Sequence, residues 1–167
     1  MIQKVNHIKE YETIQKLLNS LSGWEDIDKF TPADTVVLNV SPDYSSTVAM
    51  HVAHHLSKDG EMLPIICVDV PYPNELDVFY KHEFYMLLQN LQYTKKKFIL
   101  VEAAVLTGKN YTWMVEIMKG FGIDPDNILT VTLFEKFDST FKCAFVGEVF
   151  HTDMIEFYYE RYNKHWD

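Results

Sequence analysis

Arginine is almost missing: Arg161 is the only one in 167 residues. A tight grip on a polyphosphate must then come from backbone amides, lysines or a metal ion. Cysteine is scarce as well. Cys67 and Cys143 are too few for a disulfide framework. Both sit in apolar runs, which reads as buried thiols in a reducing compartment. No apolar run approaches the roughly 18 residues needed to cross a membrane. The opening Met-Ile-Gln-Lys-Val-Asn-His lacks a signal-peptide apolar region. The expected location is cytoplasmic. Basic charge is in deficit, with 15 Lys and Arg against 24 Asp and Glu, a net −9. Such a surface argues against nucleic acid or anionic membrane as a partner. The serine-hydrolase elbow, the Walker loop, the dinucleotide fingerprint and Cys-x-x-Cys are all absent, so those enzyme classes gain no support.

What is present is ordinary globular material, 47% hydrophobic and 23% charged. The length suits one domain over 1–167. Ile8, Tyr11, Ile14, Leu17, Leu18 and Leu21 fall at three- and four-residue steps, predicting an amphipathic helix from Asn6 to Leu21. Thr35–Val40 reads as a buried strand, and Ser41-Pro42-Asp43-Tyr44 as a turn. Ser45 or Ser46 can cap the next helix, which carries Val48, Val52 and Leu56. Pro64–Val70 is a second strand, and Pro71-Tyr72-Pro73-Asn74 breaks it. Glu75–Tyr93 has helical spacing. Phe98–Val101 is a third strand, followed by a loop from Glu102 to Lys109 and a helix from about Tyr111 to Gly120. Ile128–Phe134 and Lys142–Phe150 read as strands, and Asp153–Trp166 as an aromatic helix or turn. Strands alternating with helices predict an α/β fold, a mainly parallel sheet flanked by helices on both faces. Ligands of such sheets bind beyond the carboxyl ends of the strands.

One of those ends is informative. An apolar strand runs into Glu102, and Thr107-Gly108-Lys109 then opens a helix. Amides at a helix start carry the positive end of its dipole and can hold a phosphate. Gly108 would let the backbone approach without a Cβ in the way. Asn110, Tyr111 and Thr112 extend the candidate cradle, with the Thr107 and Thr112 hydroxyls as further donors and Lys109 as charge. The alternative is a plain strand-to-helix turn with glycine as spacer.

The stretch Glu102-Ala103-Ala104-Val105-Leu106-Thr107-Gly108-Lys109-Asn110 resembles the phosphoribosyl-diphosphate motif of type I phosphoribosyltransferases. It is most similar to the hypoxanthine-guanine branch, where Glu-Asp, three residues and Thr-Gly-Lys-Thr follow an apolar strand. Lys136, Phe145-Val146-Gly147 and Tyr162-Asn163 resemble that branch's base-site region, which implies base-binding roles for Lys136 and Val146. The resemblance implies the type I fold and a 5′-phosphorylated ribose ligand, a nucleotide or phosphoribosyl diphosphate. It also implies Glu102 as the catalytic, ribose-orienting and metal-binding acid, with magnesium as cofactor if the protein is active. Ser41-Pro42-Asp43-Tyr44 falls where the family holds diphosphate. The departures bear on activity. Ala103 replaces the second acid, and Leu106 replaces the aspartate proposed as general base. Pro42 removes an amide and Asp43 adds a negative charge. The family's late base-site aspartate falls near Arg161. The expected function is a divergent phosphoribosyltransferase-like protein with weak or absent transfer of phosphoribose to a base. The alternative is a non-catalytic nucleotide sensor or interaction scaffold.

Other groupings carry a bland reading beside a functional one. His51 and His55 share a helix face and could bind a metal, or be surface histidines. Asp69 could cap a turn or border a lid. Lys95-Lys96-Lys97 is either a solvated approach to a strand or a phosphate patch. Phe150, Phe157, Tyr158, Tyr159, Tyr162 and Trp166 suit core, subunit interface or base stacking. Aromatic residues make up 14% of the chain, and those of Glu75–Tyr93 and the tail lead us to expect a homodimer.

Overall fold

A computed structural model describes residues 1–69, 78–91 and 95–157, with backbone only at 42–44 and 78–81. Strands and α-helices alternate as far as β5, and two further strands follow: β1 (Ile2–Val5), α1 (His7–Ser22), β2 (Thr35–Val40), α2 (Pro42–His55), β3 (Ile65–Val68), α3 (Val78–Leu91), β4 (Lys97–Val105), α4 (Lys109–Gly120), β5 (Ile128–Lys136), β6 (Phe145–Phe150) and β7 (Met154–Phe157). Five strands form one parallel sheet in the order β3-β2-β4-β5-β6. Every residue of β2 is buried, as a strand covered on both faces should be.

Strand alternation divides the core. Val37, Ile99, Val101 and Val131 face the layer of α1 and α2, where Ile14, Leu17, Val48 and Val52 meet them. Val36, Leu38, Phe98 and Leu100 face α3 and α4, against Phe84, Leu88, Met114 and Met118. The alternation slips at one place in two neighbouring strands. Ala103 and Ala104 both lie on the first face, as do Leu133 and Phe134, and Ala104 pairs with Phe134 across the ladder.

Several expectations change. The amino-terminal residues form β1, which pairs in parallel with β7 as a separate two-stranded sheet. Met154–Phe157 is therefore strand, while 158–167 lie outside the described residues. Asn6 is the cap of α1, accepting from the Lys9 amide at 2.9 Å. The expected turn at 42–44 is the first turn of α2, with proline at its start, where a missing N–H costs nothing. Ser45 is not a cap but lies buried inside that helix. β4 runs four residues past Val101, so the expected loop from Glu102 shrinks to Leu106–Gly108. α4 begins two residues earlier than its apolar pattern suggested, β5 runs on to Lys136, and β6 starts only at Phe145. Cys67 is exposed rather than buried. The lysine run is tied to the preceding connector. Lys95 Nζ donates to the Pro32 carbonyl at 2.7 Å, and Lys97 pairs with Asp34 at 2.7 Å.

Candidate functional site

The sheet order changes direction between β2 and β4, and the helices after them leave to opposite faces. That is a topological switch point, where an open α/β sheet leaves a crevice at its carboxyl end. The two junctions beside it are Ser41 before α2 and Leu106–Gly108 before α4.

At the first junction Ser41 has φ 53° and ψ 68°, a left-handed conformation that costs a side-chain-bearing residue energy. Its side chain caps nothing, while its amide donates to the Val68 carbonyl at 3.1 Å. Behind it, buried Asn39 donates from Nδ2 to Ser46 Oγ at 3.1 Å, and the Ser45 hydroxyl donates to Asn39 Oδ1. The strained residue is thus held by a rigid polar cluster. The side chains of Pro42, Asp43 and Tyr44 lie outside the described residues.

At the second junction Gly108 takes φ +79°. The space on its Cβ side is already filled: a Cβ there would stand 2.4 Å from Phe141 Cβ and 2.7 Å from Phe141 N. This corrects the expectation that the glycine leaves room for a ligand, since what it admits is the Ser139–Phe141 segment. The Thr107 carbonyl accepts from the Thr140 amide at 3.2 Å and from its hydroxyl at 2.7 Å. The Gly108 carbonyl accepts from the Thr112 amide at 2.9 Å and its hydroxyl at 3.0 Å. The Thr112 hydroxyl is thereby engaged within the loop, not spare as expected. The Lys109 amide lies 3.4 Å from Thr107 Oγ1, a long contact. The amides of Asn110 and Tyr111 are among those a helix start leaves unpaired, and no partner meets them among the described residues. Lys109 is exposed beside them. Tyr111 is wholly buried and pins the helix start to the sheet, its hydroxyl donating to the Val131 carbonyl at 2.6 Å. Burial pushes that phenol well above its ordinary range.

Glu102 lies in β4, not in a loop, opposite Thr132, which in turn pairs with Val146 on β6. The Asn110 side-chain amide donates to Glu102 Oε1 at 3.4 Å. Burial raises the Glu102 carboxyl to about 8, with the Asn110 bond pulling weakly the other way. At neutral pH this acid keeps its proton. The neighbouring Asn110 Oδ1 is buried without a partner. Ala103, where the family has its second acid, is 1% exposed and faces the core under α2. A carboxylate there would be buried among apolar side chains. Leu106 is 40% exposed at the loop. Lys136 closes β5, with Nζ 3.3 Å from Asp138 Oδ1, and Val146 is half-buried.

Magnesium finds little here. Glu102 has no second acid next to it in the chain, and no group of three His, Cys, Asp or Glu converges among the described residues. Among the described residues no protein-built magnesium site is assembled. His51 and His55 likewise gather no further ligand among these residues, and His55 Nε2 lies 2.7 Å from Ser22 Oγ. Asp69 is exposed; Val70, Pro71, Tyr72, Pro73, Tyr158, Tyr159, Arg161, Tyr162 and Trp166 lie outside the described residues, whereas Phe150 and Phe157 are buried in the core. Sequence reasoning missed Ser139–Phe141 and Asn39. Ser139–Phe141 act on a loop far back in the chain, and Asn39, set in a buried strand, bonds Ser45 and Ser46 just beyond it.

No protein-family model matches the chain, and no curated protein does. Solved structures match over nearly its whole length. Helicobacter pylori xanthine-guanine-hypoxanthine phosphoribosyltransferase is 10% identical, covering 98% of this chain and 95% of its own, with a TM-score of 0.63. The fold is that of the type I phosphoribosyltransferases. A purine phosphoribosyltransferase from Pyrococcus horikoshii follows at 17% identity, 93% and 91% coverage and a TM-score of 0.61. A hypothetical protein from Neisseria gonorrhoeae with bound ppGpp stands at 12%, 98% and 96%, and 0.58. At these identities the likeness is one of fold. No helix among the described residues is long and apolar enough to cross a membrane.

Proposed function

We propose that this phosphoribosyltransferase-like protein binds a 5′-phosphorylated ribose compound at the loop Thr107–Thr112, and transfers phosphoribose to bases weakly or not at all. The observation that carries the reading is the loop's hydrogen-bond balance at the switch point. The Thr107 and Gly108 carbonyls are each satisfied twice, while the Asn110 and Tyr111 amides have no partner among the described residues. That leaves a surplus of donors facing an anion. A neutral Glu102 helps, since an ionised one would repel the phosphate. The ribose would lie toward Glu102 and Asn110, with Lys136 and Val146 bordering the base. Any catalysis would rest on positioning and charge stabilisation, with no step assigned to magnesium.

The test is thermal stabilisation by ribose 5-phosphate, nucleoside monophosphates and phosphoribosyl diphosphate, with and without magnesium. A ligand at 100 times its Kd should add about 2.7 kcal/mol. Absence of any shift at millimolar ligand rejects the reading.

A second reading, a nucleotide sensor without catalysis, is favoured by the buried Ala103 and by the fold-mate that carries ppGpp. Guanosine with diphosphates at two positions should then bind more tightly than the monophosphate. The protein is also expected to pair with a second copy. Ile2 and Met154, opposite each other on β1 and β7, are 53% and 54% exposed, with Ile8 and Tyr11 of α1 each 58% exposed. Light scattering at micromolar concentration should give twice the chain mass; a monomer refutes this.

A further inference from the structure

We infer that Thr140 is a positioning residue for the phosphate loop, and this rests on the phosphate-site reading above. A peptide carbonyl turned toward a phosphate repels it, so a cradle of amides works only while its carbonyls are held elsewhere. The loop's first carbonyl, that of Thr107, has both lone pairs taken by one residue 33 positions away in sequence, through the Thr140 amide at 3.2 Å and the Thr140 hydroxyl at 2.7 Å. Contact on the other side fixes the same peptide. Phe141 and Ser139 occupy the space beside Gly108, and the Phe141 ring packs on Tyr111 with centroids 5.4 Å apart.

The clasp is itself braced. The Ser139 amide donates to the Lys136 carbonyl at 3.0 Å, and the Ser139 hydroxyl to that of Phe141 at 2.9 Å. The turn after β5 is therefore a preformed part, and it grips the loop after β4. Thr140 is exposed, so its hydroxyl is not needed to fill the core. Its bond is spent on orienting a carbonyl. Preorganising a site in this way lowers the ordering cost of binding, without Thr140 touching the ligand.

The experiment compares wild-type protein with Thr140→Val, which keeps the amide bond and shape but loses the hydroxyl, and with Thr140→Ser, which keeps both bonds. Thr140→Ala serves as a second hydroxyl-less variant should the valine crowd the turn. Titration calorimetry with inorganic phosphate, ribose 5-phosphate and guanosine monophosphate gives Kd, and a melting curve gives stability. One net hydrogen bond corresponds to a few-fold to about tenfold in an equilibrium constant. Valine and alanine should weaken all these probes about fivefold at nearly unchanged Tm, and serine should restore wild-type affinity. Wild-type affinity in the valine and alanine variants overturns the inference while leaving the phosphate site standing. So does a serine variant as weak as valine, which would assign the effect to the methyl group. If wild-type protein binds none of the probes, the site reading itself falls and takes the inference with it.

Discussion

Burial lifts the Glu102 carboxyl from its ordinary 4.5 to about 8, so folding takes up a proton between those values. Its contribution to stability is full below about 4.5 and is lost as pH rises to about 8, at about 1.4 kcal/mol for each pH unit within the window. Glu102→Gln cannot ionise and keeps an acceptor for Asn110. The variant should match wild type in urea unfolding at pH 4.5 and exceed it by a few kcal/mol at pH 8.5. An equal difference at both pH values would show that Glu102 ionises freely in the folded chain. Ser41 offers a second single-residue test. Its φ of 53° is one glycine adopts without penalty, and its side chain caps nothing. Ser41→Gly should raise stability by up to about 1 kcal/mol, less than the roughly 1–2 kcal/mol cost of the left-handed region because glycine also gains freedom when unfolded. A loss of stability would mean that the serine makes a contact the strain repays.

At the scale of elements, β2 was legible residue for residue, because its β-branched, mostly apolar run suits a strand covered on both faces and carries no competing pattern. β4 was read short for a physical reason: a glutamate looks like the end of a buried strand unless its proton stays on. β1 and β7 were invisible, since neither four-residue strand alternates cleanly and each needs the other across the whole chain. The strand-to-helix junction was legible from Thr107-Gly108-Lys109, yet the cause of its glycine was misread, as Phe141 was not recognisable as its neighbour. The slip in alternation at Ala103-Ala104 has a consequence for repair of the motif. Ala103 lies in the core with Val37, Val101 and Val52, so Ala103→Asp buries an unpaired acid. It should cost several kcal/mol or force the aspartate to stay protonated. Leu106→Asp, at an exposed loop position, should change stability by less than about 0.5 kcal/mol. Comparable Tm losses in the two variants would refute this placement of the strand.

For the molecule as a whole, the parallel sheet brings together junctions that are far apart in sequence, and phosphoribosyl transfer would need all of them at once. The junction after β4 has unpaired amides, but not the second acid, because Ala103 faces the core. Leu106 is the residue at the position the motif resemblance assigns to the proposed general base. The junction after β2 opens its helix with a proline that has no amide to give, next to an aspartate in sequence. Removing a general base typically costs 10²–10⁴-fold, and removing one well-placed donor 10²–10³-fold. These factors do not simply multiply, because groups acting as a unit are not additive. Even one of them leaves little rate. Diphosphate release from phosphoribosyl diphosphate should therefore stay well below about 1 s⁻¹ with adenine, hypoxanthine, guanine, xanthine, uracil or orotate, with magnesium present. Turnover at that rate on any of these bases would show that Glu102 and the amide cradle suffice. Since Ala103 cannot be restored without damage to the core, the informative repair is Leu106→Asp alone. A rise in rate with that single change would assign the deficit to the missing base. No rise, with nucleotide binding intact, would assign it to the junction after β2 and support a protein that holds its ligand without converting it.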